Sequence, residues 1–105
     1  MSKIKKLHKK AMDMAERAFV ARLKGDLQQA GQLFQQAFEN EAQAARLVPD
    51  LPSSEPTRSI LYRSAASLAI DCNEYLEAER LIAIGLAGNP PEETANELRK
   101  ILAEC

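Results

Sequence analysis

At 105 residues the chain has room for one domain with a modest core and is too short for two. It is 46% hydrophobic yet holds only three Phe, two Tyr and no Trp, and its 14 Lys/Arg nearly cancel its 15 Asp/Glu. These figures argue against a nucleic-acid domain, two Cys are too few for a disulfide framework, and no apolar run approaches the ~20 residues that cross a bilayer.

The small net charge hides an uneven layout. Residues 1–24 carry eight Lys/Arg against two acids, and residues 71–105 carry three against eight. A basic beginning and an acidic end favour head-to-tail contact between copies over a general affinity for polyanions. The opening Met1-Ser2-Lys3-Ile4-Lys5-Lys6 has basic residues but no apolar stretch after them. No signal peptide is therefore expected, and a reducing cytoplasm is the expected location.

Ala, Leu, Gln and Glu dominate the composition, and these side chains lose little rotamer freedom in a helix, so the expected class is all-α. The first helix is predicted over about 3–24, with Ile4, Leu7, Ala11, Met14, Ala18 and Ala21 along one face. Gly25 supplies a left-handed stop, and Asp26 an N-cap that Gln29 would complete as a capping box. The second helix is predicted over about 27–47. Its stripe is Leu27, Ala30, Phe34, Ala37 or Phe38, Ala44 and Val48, interrupted only by Glu41, and mid-helix Gly31 suggests close approach of a neighbour.

Three prolines and two serines between Val48 and Arg58 mark a loop over about 48–57. A third helix follows over about 57–71 with Ile60, Leu61, Ala65, Leu68 and Ala69 in register, and Asn73 tolerates the left-handed cap beyond it. The fourth, about 75–87, is apolar around more than one face and is expected to be well buried. Asn89-Pro90-Pro91-Glu92 then reads as an N-cap with proline in the first turn. The fifth helix, about 91–104, has a narrow stripe of Leu98, Ile101 and Leu102, as suits a helix closing the end of a core.

The two helix pairs repeat each other. An ungapped offset of 48 positions aligns Gly25 with Asn73, Leu27 with Tyr75, Ala30 with Ala78, Phe34 with Ile82 and Ala37 with Gly85. Upstream it aligns Met14 with Tyr62, Ala18 with Ala66 and Ala21 with Ala69. These residues resemble the tetratricopeptide repeat, in which small residues of a first helix meet small residues of a second. The small positions would be Ala18, Ala30 and Ala37, then Ala66, Ala78 and Gly85, with Pro90 at the terminal proline. The resemblance implies one domain over residues 1–105: antiparallel helix hairpins in an α-α superhelix with a capping helix. Arg17 stands where that family prefers a large apolar residue. The family's period is about 34 residues, so the 48-residue offset implies an insertion between Asn40 and Arg58. The first pair alone is also similar to the microtubule-interacting-and-transport module, and an unrelated bundle with Ala-rich seams would share the same pattern.

The resemblance also implies a place for binding, because the first helix of each pair lines a concave groove. Beside the core stripe run Met12, Ala15, Phe19 and Leu23, with Arg22 adjacent; the positions carried over to the third helix are Ile60, Arg63, Ser67, Ile70 and Asp71. Such a groove, with Arg22 and Arg63 on its rim, suits an amphipathic helix or an acidic-hydrophobic peptide. Phe19 and Leu23 read equally as core residues. Two repeats leave an open end that a second copy would cover, so a homodimer using the groove for self-association is the alternative function.

Chemical motifs are scarce. The sole His, His8, lies among lysines and reads as solvated, so neither a metal site nor a nucleophile–His pair is expected, and no cofactor. Glu74, Glu77, Glu92, Glu93 and Glu97 read as helix-start and solvated carboxylates rather than an acid–base pair. Lys3, Lys5, Lys6, Lys9 and Lys10 form a basic arm whose contact with nucleic acid is the distant alternative. The expectation is a non-catalytic protein that binds a protein or peptide partner.

Overall fold

The computed structural model describes residues 2–105. Among them lie five α-helices, α1 (Lys3–Leu23), α2 (Leu27–Leu47), α3 (Thr57–Asp71), α4 (Tyr75–Ala87) and α5 (Glu92–Ala103), with one 3-10 turn at Pro52–Ser54 and no strand. The fold is all-α, as the composition predicts. α1 packs along α2, α2 also rests on α3, α3 on α4, and α5 lies across α3 and α4.

The core is built on small residues. Ala18, Ala30 and Ala37 are buried where α1 meets α2, and Ala66, Ala78 and Gly85 are buried where α3 meets α4. Short side chains let the helix backbones approach, and the gaps between them are filled by Phe34, Leu81, Ile82 and Leu98, all fully enclosed. Gly85 shows how tight the second seam is: a Cβ there would lie 3.1 Å from the Tyr62 Cβ and 3.2 Å from Leu98 Cδ1.

Both hairpins turn by the same device. Gly25 has φ +83°, its N–H donates to Arg22 O, and the next N–H, from Asp26, donates to Ala21 O at 2.9 Å. Asn73, 48 residues later, has φ 63°; its N–H donates to Ile70 O and that of Glu74 to Ala69 O at 2.8 Å. This paired closure satisfies the last carbonyls of a helix and needs a residue that accepts a left-handed backbone. The repeat seen in the sequence therefore extends to individual turn hydrogen bonds.

Several local expectations are corrected. Asp26 caps α2 through Gln29 N–H at 3.1 Å, but Gln29 does not complete a capping box, because the Asp26 N–H is already held by Ala21. Asn89 is not the cap of α5: the helix starts after Pro91, and the Asn89 N–H donates to Glu55 instead. No neighbour approaches Gly31, where a Cβ would meet nothing within 4 Å. Leu27 stands outside the α2 stripe and is exposed. α4 buries only Ala78, Leu81, Ile82 and Gly85, leaving Leu76 and Ile84 in solvent, so it is a one-sided helix rather than a central one.

The proline-rich segment is fastened by a buried cation. Arg58, in the first turn of α3, is only 3% exposed. Its guanidinium donates to Ile84 O at 2.8 Å, meets Glu55 at 3.5 Å and Asp50 at 3.3 Å, and lies over the Tyr62 ring at 5.1 Å. Glu55 in turn accepts the Ser59 N–H at 3.0 Å and the Asn89 N–H at 3.2 Å, so a residue just before α3 does the work of an N-cap. Burial pushes the Glu55 carboxyl up, but hydrogen bonds from Ser59 and Asn89 and the Arg58 charge prevail and hold it below its ordinary 4.5.

Two predictions follow from this packing. Gly31→Ala adds a side chain to open space on a helix, so it stabilises by up to about 1 kcal/mol and raises Tm by about 4–8 °C. Gly85→Ala lowers Tm despite the same gain in propensity, because the Tyr62 Cβ is fixed to the α3 backbone and the overpacking cost of about 1–3 kcal/mol exceeds it. Circular-dichroism melts of the two variants check the opposite signs. For Glu55, whose folded-state carboxyl is held down, the stabilisation is present above the unfolded pKa and lost as pH falls through the folded value. Glu55→Gln therefore costs about 1–3 kcal/mol near neutral pH and flattens the acid-side fall in stability, read by urea titrations at neutral and acidic pH.

Candidate functional site

α1 and α3 run side by side in the same direction. At their C-terminal ends Arg22 Nη2 meets Asp71 Oδ1 at 3.3 Å, and at their N-terminal ends Ile4, Lys5 and His8 face Thr57, Ile60 and Leu61. Where the two helices face each other their side chains are small, Ala15 from α1 and Ser64 and Ser67 from α3, and leave the space between them unfilled. The result is an open cleft of about 350 Å³.

Its walls come from three helices. Met12 and Phe19 stand on the α1 side, Arg63 and Asp71 on the α3 side, and Glu97 and Ile101 reach in from α5. Ala15 and Leu68, both buried, form the floor. Phe19 is 48% exposed, and its inner edge rests against Phe34 in a T-shaped contact with ring centroids 5.1 Å apart. It belongs to both settings at once: one edge is anchored to the core, and the rest lines the cleft.

The cations expected on the rim are not free. Arg22 stacks over the Phe34 ring at 4.5 Å and the Phe19 ring at 5.3 Å while paired to Asp71. Arg63 Nη1 bonds both carboxylate oxygens of Glu97, at 3.1 and 3.2 Å. Each guanidinium thus has its own carboxylate, and the rim carries paired charges rather than a positive stripe. Exposed pairs of this kind contribute little to stability, roughly 0–1 kcal/mol, but they remove the electrostatic reason for a strongly acidic partner.

The remaining sequence-predicted residues fall elsewhere. Ser67 is exposed within the cleft. Leu23 is 87% exposed at the α1–α2 turn and is neither core nor cleft wall. Ile70 is partly buried against the core. Ile60 lines a separate small cleft with Ile4, Lys5, His8, Thr57 and Leu61. Glu97 and Ile101, which the repeat alignment omits, sit four apart on α5 and so share one face; the apolar stripe of the fifth helix already held Ile101.

His8 is not simply solvated. Its Nδ1 lies 2.8 and 3.0 Å from the two carboxylate oxygens of Glu41, which is 0% exposed. Glu41 is thus the interruption in the α2 stripe and also a buried carboxylate with an imidazole partner on α1. The five lysines of the first turns are all exposed, and Lys9 pairs with Asp13 at 3.1 Å. Of the acidic cluster, Glu97 is tied to Arg63, and Glu77 to Arg80 and, at 4.0 Å, to Arg46. Burial pushes the Cys72 thiol up to about 11, which keeps it protonated and unreactive near neutral pH.

Among the described residues no group of three or more His, Cys, Asp or Glu is placed to hold a metal ion, and no helix is long and apolar enough to cross a membrane. The chain matches no protein-family model, no curated protein and no solved structure.

Proposed function

We propose that the chain is a non-catalytic interaction module that holds an amphipathic helix or peptide of a protein partner in the α1–α3 cleft. The observation that carries this reading is an open trough with an apolar interior, Met12, Phe19, Leu68 and Ile101, and a rim of paired charges, Arg63 with Glu97 and Arg22 with Asp71. An apolar centre with a polar rim is the usual anatomy of a protein-binding surface, and a helix presents the three- and four-residue spacing that such a trough reads. The repeated hairpin turns and the paired Ala seams support a tetratricopeptide-like reading of the two helix pairs. A cytoplasmic location suits the unpaired Cys72 and Cys105.

Because the rim is internally neutral, the partner needs apolar anchors and mixed charge rather than a run of acids. Selection from a displayed library of 16-residue peptides, with the wild-type chain as bait, is expected to enrich sequences with apolar residues at i, i+3 or i+4 and i+7. Phe19→Ala weakens those peptides by about tenfold or more. Arg63→Glu, which also repels Glu97, weakens them further. Peptides that bind both variants as well as wild type would place the partner surface outside this cleft.

A second reading, self-association, is favoured by a specific observation: Leu23 and Leu27 at one hairpin turn, and Tyr75 and Leu76 at the other, are all exposed. Large exposed apolar groups gathered at one end of a small protein mark interaction surfaces, and the basic first segment and acidic last segment would assist contact between copies. Light scattering over a range of concentrations separates the two. A dimer abolished by Leu23→Glu supports self-association, and a monomer at every concentration leaves the cleft for another protein.

A further inference from the structure

A buried carboxylate needs a reason. Removing Glu41 from water costs several kcal/mol that one hydrogen-bonded partner rarely repays, and an apolar residue in its place would serve the core as well. Yet among the described residues the one partner of Glu41 is His8, whose side chain is 46% exposed. A carboxylate fixed on one imidazole nitrogen sets the ring's tautomer and orientation and presents the other nitrogen outward, which is how proteins prepare a histidine for a ligand. With Nδ1 engaged by Glu41, Nε2 is the nitrogen left to act, and no other hydrogen bond of the ring is present among the described residues.

The ring lines the small cleft at the N-terminal ends of α1 and α3, about 230 Å³ in volume. Ile4, Ile60 and Leu61 make its surface almost wholly apolar, Thr57 adds a hydroxyl, and Lys5 stands exposed at its edge. Lysines predominate around it: Lys3, Lys6, Lys9 and Lys10 are all exposed on α1, of which Lys9 is paired with Asp13, and the carboxylate of Glu41 is buried.

We propose that this cleft binds a short aliphatic monocarboxylic acid, its carboxyl group on His8 Nε2 and Lys5 and its chain against Ile4, Ile60 and Leu61. A carboxylate pairs with Nε2 when the ring carries a proton there as well as on Nδ1, so that Nδ1–H donates to Glu41 and Nε2–H to the ligand; a neutral ring takes that proton from solvent on binding. The cleft's volume admits a chain of roughly five to eight carbons, far less than a lipid or a peptide helix. The site is separate from the α1–α3 trough and does not depend on the function proposed for it.

Sodium hexanoate is the probe, titrated into the full chain labelled with 15N and 13C and followed by the ring signals of His8 and the methyl signals of Ile4, Ile60 and Leu61. Saturable shifts of both sets are expected, with Kd near or below about 1 mM for a ligand of this size. Two controls read the chemistry: 1-hexanol and hexylamine, which keep the chain but lose the acid, and acetate, which keeps the acid but loses the chain. His8→Phe and the exposed Lys5→Glu each weaken hexanoate by about tenfold or more, the loss expected of one charge-assisted hydrogen bond. Lys100→Glu, the same change at an exposed site on α5, leaves it unchanged. The proposal is overturned if hexanol or acetate produces the same saturable shifts, if hexanoate produces none, or if Lys5→Glu, with its fold verified by the unchanged amide spectrum, binds hexanoate as wild type does.

Discussion

The arrangement of the two hairpins depends on Arg58. The first hairpin ends with Leu47, the second begins with Thr57, and the intervening segment is too rich in proline to form a regular ladder of its own. Arg58 supplies what the backbone cannot. One guanidinium reaches the loop at Asp50 and Glu55, the α4 backbone at Ile84 and the Tyr62 ring, while Glu55 extends the cluster to Asn89 before α5. The loop, the start of α3 and the end of α4 meet at one cation. Losing the cation itself is costly because Glu55 then stays buried without it, typically about 3–5 kcal/mol. Gly88 is part of the same constraint: a Cβ there would lie 2.3 Å from Arg58 Nη1, so the guanidinium occupies room that only glycine leaves.

The unequal lengths of the second helices have a consequence of their own. α2 continues to Leu47 whereas its counterpart α4 ends at Ala87, so α2 is 21 residues long and α4 is 13. The additional turns carry Glu41, Ala42, Ala44 and Ala45, all buried, and bring the end of α2 beside the start of α1. The His8–Glu41 pair lies in this stretch. The part of the chain that departs most from a regular repeat is thus the part that holds its most unusual polar contact, and the more regular part, around Phe19 and Ser67, forms the open trough.

Much of this was legible in the sequence. Helix positions follow from apolar spacing and from stop signals at Gly25, Asn73 and the prolines, because those signals are local. The shared turn at Gly25 and Asn73 was visible for the same reason. What escaped involves pairing across long separations. Glu41 looked like a flaw in a stripe because its partner lies 33 positions away, and Arg58 drew no reading as a core residue because its acceptors are a carbonyl on α4 and carboxylates behind it. The rim of the cleft was misjudged likewise: Arg22 and Arg63 read as free cations until Asp71 and Glu97 were brought to them by α3 and α5. Leu27 and Leu76 show the converse, an apolar residue in correct helical phase with no neighbour to bury it.

The extensive helix contacts are almost all between neighbours in sequence: α1 with α2, α2 with α3, α3 with α4, α5 with α3 and α4. A chain wired in this way closes only short loops at each step, and low contact order is associated with folding in microseconds to milliseconds. It also sets where the structure opens. α1 is held mainly along its α2 side, so it can separate from α3 without breaking the Arg58 cluster or the α3–α4 seam. Hydrogen exchange would then show α1 protected together with α2 as one hairpin rather than released alone, and side-chain signals on the α3-facing side of α1 would report occupancy of either cleft beside it.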